Sequence, residues 1–236
     1  MSLSRLAWHR DKLPRPEELR DLGAYRRRCR LHRELYEGGW TMLGPRRGRT
    51  LHRLAQEVDR AGVPGVLVDC GAWNGGSTIL LSAGAPKREV WAFDSFQGLP
   101  TPGELDGRQS EGLGGELIAS EQKLRAGFER FADPARLHVR AGWFEETLEV
   151  AADEVGPVAV LHCDGDWYDS VLLTLEVMYP LVSPGGFVVI DDYGTFPGAQ
   201  RATDEYRLRA GDSAPLRRID HTGHYWRKGT APSAAL

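Results

Sequence analysis

The spacing of apolar residues changes near Val66. Before it they recur every three or four positions: Leu22, Tyr25, Cys29, His32 and Tyr36 in one run, with Arg26, Arg27, Arg28, Arg30 and Arg33 around them, then Leu51, Leu54, Ala55 and Val58, which Gly62 and Pro64 end. Both runs predict amphipathic helices. Residues 1–62 therefore read as a helical arm of the same domain, its arginines a solvated face and its apolar stripe suited to a homo-oligomer contact. From Val66 onward short apolar runs take over: VLVDC, EVWAFD, RLHVRAG, VAVLHCD and FVVIDD, each near the length of a buried strand. Helical stretches lie between them at Ser77–Ala83, Leu117–Phe131, Glu145–Val155 and Ser170–Leu181. This alternation predicts an α/β domain over residues 63–236, a mostly parallel sheet with helices on both faces. PLRRID and HTGHYWRK predict a C-terminal antiparallel hairpin. The polar, glycine-rich stretch Thr101–Gly115 is long for a connection and suits either a lid over an active site or a plain disordered loop.

Composition narrows the partners. With 236 residues, 41% of them hydrophobic, the chain can bury one sizeable core. Thirty basic against 33 acidic residues create no field that favours nucleic acid or an anionic membrane. Three scattered cysteines make no disulfide framework and no Cys-x-x-Cys zinc pair, which fits a reducing cytoplasm. No window approaches the roughly 18 apolar residues of a membrane span, and the N-terminus lacks a signal-like apolar core, so a soluble, unprocessed chain is expected.

Val66–Thr78, VLVDCGAWNGGST, ends a strand on a carboxylate and turns through glycines into a helix. In open α/β sheets the ligand sits outside the carboxyl ends of the strands. Gly71 and Gly75 leave room for a backbone approach, and free N–H groups near Ser77 attract a carboxylate or other anion. A dinucleotide fingerprint needs glycine where this chain has Trp73, so the spacing argues against a nicotinamide dinucleotide and suits S-adenosylmethionine. Asp94 ends the second strand, where an acid accepts hydrogen bonds from a ribose diol. Trp143, after the third strand, either covers an adenine edge or joins the core. Asp164 ends the fourth strand and Asp191 and Asp192 the fifth, so three carboxylates converge beside the cofactor. Like charges in a partly dry site call for a cation, and oxygen-only ligands favour Mg²⁺. Cys163 faces away if Asp164 faces the site. Helix capping by Asp191 and Asp192, and a turn at Asp164, are the plain structural alternatives.

The ordered set VLVDCGAWNGGS, WAFDSFQGLP, RAGWFEETL, DGDWYDS, SPGGFVVIDDYG and IDHTGHYWR resembles the macrocin O-methyltransferase family, metal-dependent enzymes that methylate sugar hydroxyls of macrolide and aminocoumarin antibiotics. The resemblance runs from about Thr41 to Arg227 and implies a class I methyltransferase, Rossmann-like fold. It implies Asp69, Asp94 and Trp143 as S-adenosylmethionine contacts, with Ser95 and Phe96 in the same motif and Thr41 and Met42 near the methionine end. It assigns the metal triad to Asp164, Asp191 and Asp192, with Asp164 also beside the cofactor. Proton removal falls to Asp191, with Asp192 the second candidate. The implied acceptor is a small-molecule glycoside, methylated on a deoxysugar hydroxyl. The alternatives are a non-sugar hydroxyl, or a catalytically silent methyltransferase-like binding module, against which the intact acid set stands. His221, His224 and Tyr225 are either acceptor-pocket or ordinary hairpin residues.

Overall fold

In the computed structural model, which describes residues 21–229 together with Pro14 and Pro16, the five apolar runs become five parallel strands. These are β1 (Val66–Cys70), β2 (Val90–Asp94), β3 (Leu137–Ala141), β4 (Val158–Cys163) and β5 (Val182–Ile190). The expected hairpin adds β6 (Arg217–Arg218) and β7 (His224–Arg227), with β7 antiparallel to β5 and to β6. The sheet order is β3-β2-β1-β4-β5-β7-β6, so the chain reverses its direction of travel between β1 and β4 and opens a crevice at their carboxyl ends.

Seven α-helices lie among the described residues: α1 (Leu22–Glu37), α2 (Pro45–Arg60), α3 (Gly76–Gly84), α4 (Glu121–Phe131), α5 (Phe144–Val155), α6 (Tyr168–Met178) and α7 (Pro197–Arg209). Alternation along the strands sorts them into two layers. Leu67, Val160, Val189 and Tyr225 face α1–α4, whereas Val68, Leu161, Val188 and Trp226 face α5–α7. Leu35 of α1 and Leu51, Leu54, Ala55 and Val58 of α2 share a core with Leu67 and Val160. The rest of the expected arm, residues 1–20 apart from Pro14 and Pro16, lies outside the described residues. No helix among the described residues is long and apolar enough to cross a membrane.

Several boundaries differ from the pattern. The inward face of α1 is Ala24, Arg28, His32 and Leu35, and Leu22 and Tyr36 of the expected stripe are exposed. α4 starts at Glu121 rather than Leu117, because Leu117 has a positive φ of 60° and Ser120 caps the helix by accepting from the Lys123 N–H. α6 begins two residues before Ser170 and ends three before Leu181. α7 was not foreseen: its buried side is Gly198, Ala199, Ala202 and Thr203, too small for an apolar period to show. Thr101–Gly115 forms two short 3₁₀ turns, Glu104–Asp106 and Arg108–Ser110, fixed at several points. Buried Asp106 accepts from the Tyr168 N–H (2.7 Å) and the Gly103 N–H (2.7 Å), and Gln109 Nε2 donates to Thr195 O (3.0 Å).

Candidate active site

The strand ends surround a cavity of about 500 Å³. At β2, Asp94 Oδ2 accepts from the Trp73 N–H and Oδ1 from the Phe96 N–H, both at 2.7 Å, so one carboxylate ties the loop after β1 to the loop after β2. Trp73 and Phe96 adopt positive φ angles of 47° and 55°, a conformation that side-chain-bearing residues rarely hold without such anchoring. Burial raises the Asp94 pKa against the opposing pull of these two N–H groups. Each oxygen keeps a lone pair for a further donor.

Two glycines are there for close backbone packing. A Cβ on Gly71 (φ 91°) would fall 2.0 Å from the Asp164 carbonyl oxygen, so this residue admits the main chain of β4 as well as lining the cavity. A Cβ on Gly76 would meet Thr41 Cβ at 2.4 Å, and the Gly76 N–H donates to Trp40 O at 2.9 Å. The α1–α2 loop thus lies across the start of α3. Asn74 secures it, donating to Gly39 O (3.2 Å) while its Oδ1 accepts from the Ser120 N–H (3.1 Å).

Of the residues expected at the cofactor, Thr41, Met42, Gly71, Ser77, Asp94, Ser95, Trp143 and Asp164 line this cavity. Asp69, Gly75 and Phe96 do not. Asp69 shares the Leu67 face of β1 and is fully buried under α3. Its Oδ2 accepts from Ser77 Oγ (2.8 Å) and Thr78 Oγ1 (2.5 Å), and its Oδ1 pairs with His162 Nδ1 (2.7 Å). In these contacts it supports the first turn of α3. Gly75 precedes α3 at φ 92°, against Leu124, and Phe96 packs with Ala92 and Leu124. His221, His224 and Tyr225 stay off the cavity wall, and His224 packs at a tilt against Tyr193 (4.7 Å between centroids).

The acids after β4 and β5 gather as expected, with additions. Asp164, Asp166 and Asp192 each offer an oxygen within 4.8 Å of one another, and so do Asp164 and Asp191 with a ring nitrogen of His162. The expected triad is thus split over two groups that share Asp164. Burial, then mutual repulsion, holds Asp164 and Asp166 well above the usual carboxylate range and pushes Asp192 up to about 7. Asp191 is the exception. Burial would raise it, but Arg47 and His162 outweigh that and keep it low. Arg47 Nη1 is hydrogen-bonded to Asp191 Oδ2, and its Nε lies 3.0 Å from Asp220 Oδ2. Burial disfavours charge on His162, yet Asp191 and Asp69 raise its pKa to about 9. The His162 Nε2 to Asp191 Oδ1 contact is 3.5 Å, a charge contact without hydrogen-bond alignment, and both atoms are buried with no hydrogen-bond partner.

Sequence reasoning missed Asp166, Arg47 and His162. Asp166 stood two residues from Asp164 in DGDWYD, and His162 was the one basic residue inside the apolar run VAVLHC. Arg47 carried no local signal. The donor set fits a hard divalent cation: oxygen ligands, a carboxylate oxygen of Asp191 left orphaned, and three crowded acids whose mutual repulsion Arg47 and His162 offset only in part. Cys163 packs into the α5–α7 core, away from these acids.

A sequence model of the Macrocin-O-methyltransferase (TylF) family matches residues 9–228. The 8-demethyl-8-(2,3-dimethoxy-alpha-L-rhamnosyl)-tetracenomycin-C 4'-O-methyltransferase of Streptomyces olivaceus is 40% identical over 210 residues, 83% of this chain and 78% of that protein. The demethyldecarbamoylnovobiocin O-methyltransferase of Streptomyces niveus is 35% identical over 238 residues, 93% of this chain and 84% of that protein. Among solved structures, the O-methyltransferase NovP superposes with a TM-score of 0.72 at 35% identity, covering 81% of this chain and 83% of that one. Fold, cavity and relatives converge: the chain belongs to the macrocin O-methyltransferase family and is an S-adenosylmethionine-type O-methyltransferase.

Proposed function

We propose that this enzyme transfers the methyl group of S-adenosylmethionine to a sugar hydroxyl of a finished, uncharged glycoside, with Mg²⁺ held by Asp164, Asp191 and Asp192. The observation that carries this reading is one cavity whose wall contains both Asp94, suited to a ribose diol, and the unneutralised acid cluster. When bound, the cation lowers the pKa of a ligated hydroxyl and fixes its oxygen for attack on the methyl carbon. Asp191 Oδ1, orphaned in the structure, and the paired Asp164 and Asp192 are the oxygens that would hold it.

A base must still take the hydroxyl proton, and its pKa should lie near the working pH. Asp191, held low by Arg47 and His162 and only 4% exposed, is a poor choice. Asp166 lines the same cavity, and burial and its acidic neighbours hold it high. We therefore move the base from Asp191 to Asp166.

Charge also bears on the acceptor. Among the described residues, six carboxylates line the cavity (Asp94, Glu145, Asp164, Asp166, Asp191 and Asp192) against one cationic side chain, Arg47, already paired with Asp191 and Asp220. A sugar nucleotide would bring two phosphates to that wall, whereas Met42, Leu99, Pro100 and Leu117 suit an apolar aglycone. The relatives named for a rhamnosyl-tetracenomycin and a novobiocin precursor favour the same class. With a labelled methyl donor, the enzyme should methylate a neutral glycoside at least about tenfold faster than the nucleotide carrying the same sugar, a difference of roughly 1.4 kcal/mol. Preference for the nucleotide, or label on the aglycone, would replace this acceptor class. The free thiols Cys29, Cys70 and Cys163 suit a cytoplasmic enzyme.

Asp94→Ala tests the cofactor end separately. It removes the acceptor for the ribose and frees the Trp73 and Phe96 loops, so S-adenosylhomocysteine affinity should fall by about 10²-fold, as for a charged hydrogen-bond acceptor. Calorimetry showing unchanged affinity would detach Asp94 from the cofactor.

A further inference from the structure

β4 is buried along its whole length, yet it carries a fully buried, ionisable side chain at His162. In register His162 lies beside Asp69 of β1, and its ring joins two carboxylates, with Nδ1 2.7 Å from Asp69 Oδ1 and Nε2 3.5 Å from Asp191 Oδ1. Each acid is anchored through its other oxygen. Asp69 Oδ2 accepts from Ser77 and Thr78, and Asp191 Oδ2 is paired with Arg47. Ser77 and Asp191 both line the cavity, so the chain Ser77–Asp69–His162–Asp191 joins the two ends of the site through buried contacts, and part-buried Arg47 closes it at the acid end. Buried ion pairs of this kind contribute little net stability but constrain geometry.

We propose that His162 is a positioning residue that couples cofactor binding to occupation of the acid cluster. The inference rests on the proposed function and goes beyond it. Asp191 Oδ1 is the one oxygen of that residue that Arg47 leaves unpaired, and it is also the one facing His162. Once Asp191 Oδ1 turns to a cation, the imidazole is left to Asp69 alone. The Asp69 carboxylate is then held more firmly against Ser77 and Thr78, and the first turn of α3 is better ordered to receive the cofactor. By reciprocity, cofactor in place favours occupation of the acids.

The test is calorimetric titration of the full chain with S-adenosylhomocysteine, in saturating Mg²⁺ and in EDTA. The demethylated product lacks the sulfonium charge, so direct repulsion between two cations does not obscure the linkage. Wild type should bind about fivefold or more tightly with Mg²⁺, the lower end of usual couplings. His162→Gln can keep a hydrogen bond to Asp69 but cannot place a second ring nitrogen against Asp191. It should bind with EDTA within about threefold of wild type and gain less than about twofold from Mg²⁺. A full Mg²⁺ effect in His162→Gln, or none in wild type, overturns the proposal. If His162→Gln fails to fold by circular dichroism, Thr78→Val, which removes one hydroxyl from Asp69, should at least halve the Mg²⁺ effect, and an unchanged effect overturns the proposal. Loss of S-adenosylhomocysteine binding by the wild type under both conditions would overturn the proposed function itself.

Discussion

Chelation with EDTA is expected to lower methyl transfer by on the order of 10³-fold or more, the span that help with proton transfer covers, and added Mg²⁺ should restore it. Without a cation, Asp164, Asp166 and Asp192 face one another in a dry crevice and hold protons that they would otherwise give up. Asp192, pushed up to about 7, is partly protonated at neutral pH. The hydroxyl then meets neither a ligand nor an ionised base. Stability supplies a second readout. A carboxyl group whose folded pKa lies above its unfolded value binds more protons when folded, so its contribution is lost as pH rises between those two values. For Asp192 that window runs from about 4 to about 7. The melting temperature of the chelated protein should fall across it, and saturating Mg²⁺ should flatten the fall while raising the melting temperature, because a cation bound only by the folded state stabilises it. Full activity in EDTA would end the metal assignment.

Asp166→Asn is expected to lower kcat by about 10²-fold or more at saturating Mg²⁺, with S-adenosylhomocysteine affinity little changed. The substitution keeps the size of the side chain and removes the proton acceptor. It should also erase the acidic limb of the kcat profile, since wild-type activity rises with pH as Asp166 ionises. Asp191→Asn should behave differently: it weakens the pairing with Arg47 and one cation ligand, so the Mg²⁺ concentration needed for half activity should rise while kcat at saturation recovers much of its value. If Asp191→Asn instead gives the larger loss at saturating Mg²⁺, the base is Asp191, as the sequence suggested.

The strands, the helices on both faces and the acids at the strand ends were legible because each is written locally, whereas the order of the strands in the sheet was not. Apolar runs of strand length ended on Asp94, Asp164 and the Asp191–Asp192 pair, and turn chemistry followed each one. What the sequence hid was set by packing at a distance. Arg47 reaches Asp191 across 144 positions, and only the docking of α2 on the sheet brings them together. Asp69, expected at the cofactor from its place beside a glycine turn, also has a packing partner that the sequence did not show: strand alternation turns it toward α3, where Ser77 and Thr78 donate to it. The missing α7 has a physical cause too: alanine and glycine let it pack closely but give no apolar period to read.

The place of β7 in the sheet governs when the protein can become active after synthesis. β7 lies between β5 and β6, with Tyr225 in one core and Trp226 in the other, and Asp220, just before it, pairs with Arg47. While Tyr225 and Trp226 are still inside the ribosome, β5 has an open edge, both cores are incomplete and Arg47 lacks one of its two carboxylates. Contacts between residues so far apart in sequence form late in folding because the loop they close is long. A nascent chain can therefore build its α1–α6 elements early and remain without a finished catalytic centre until the last strand has emerged.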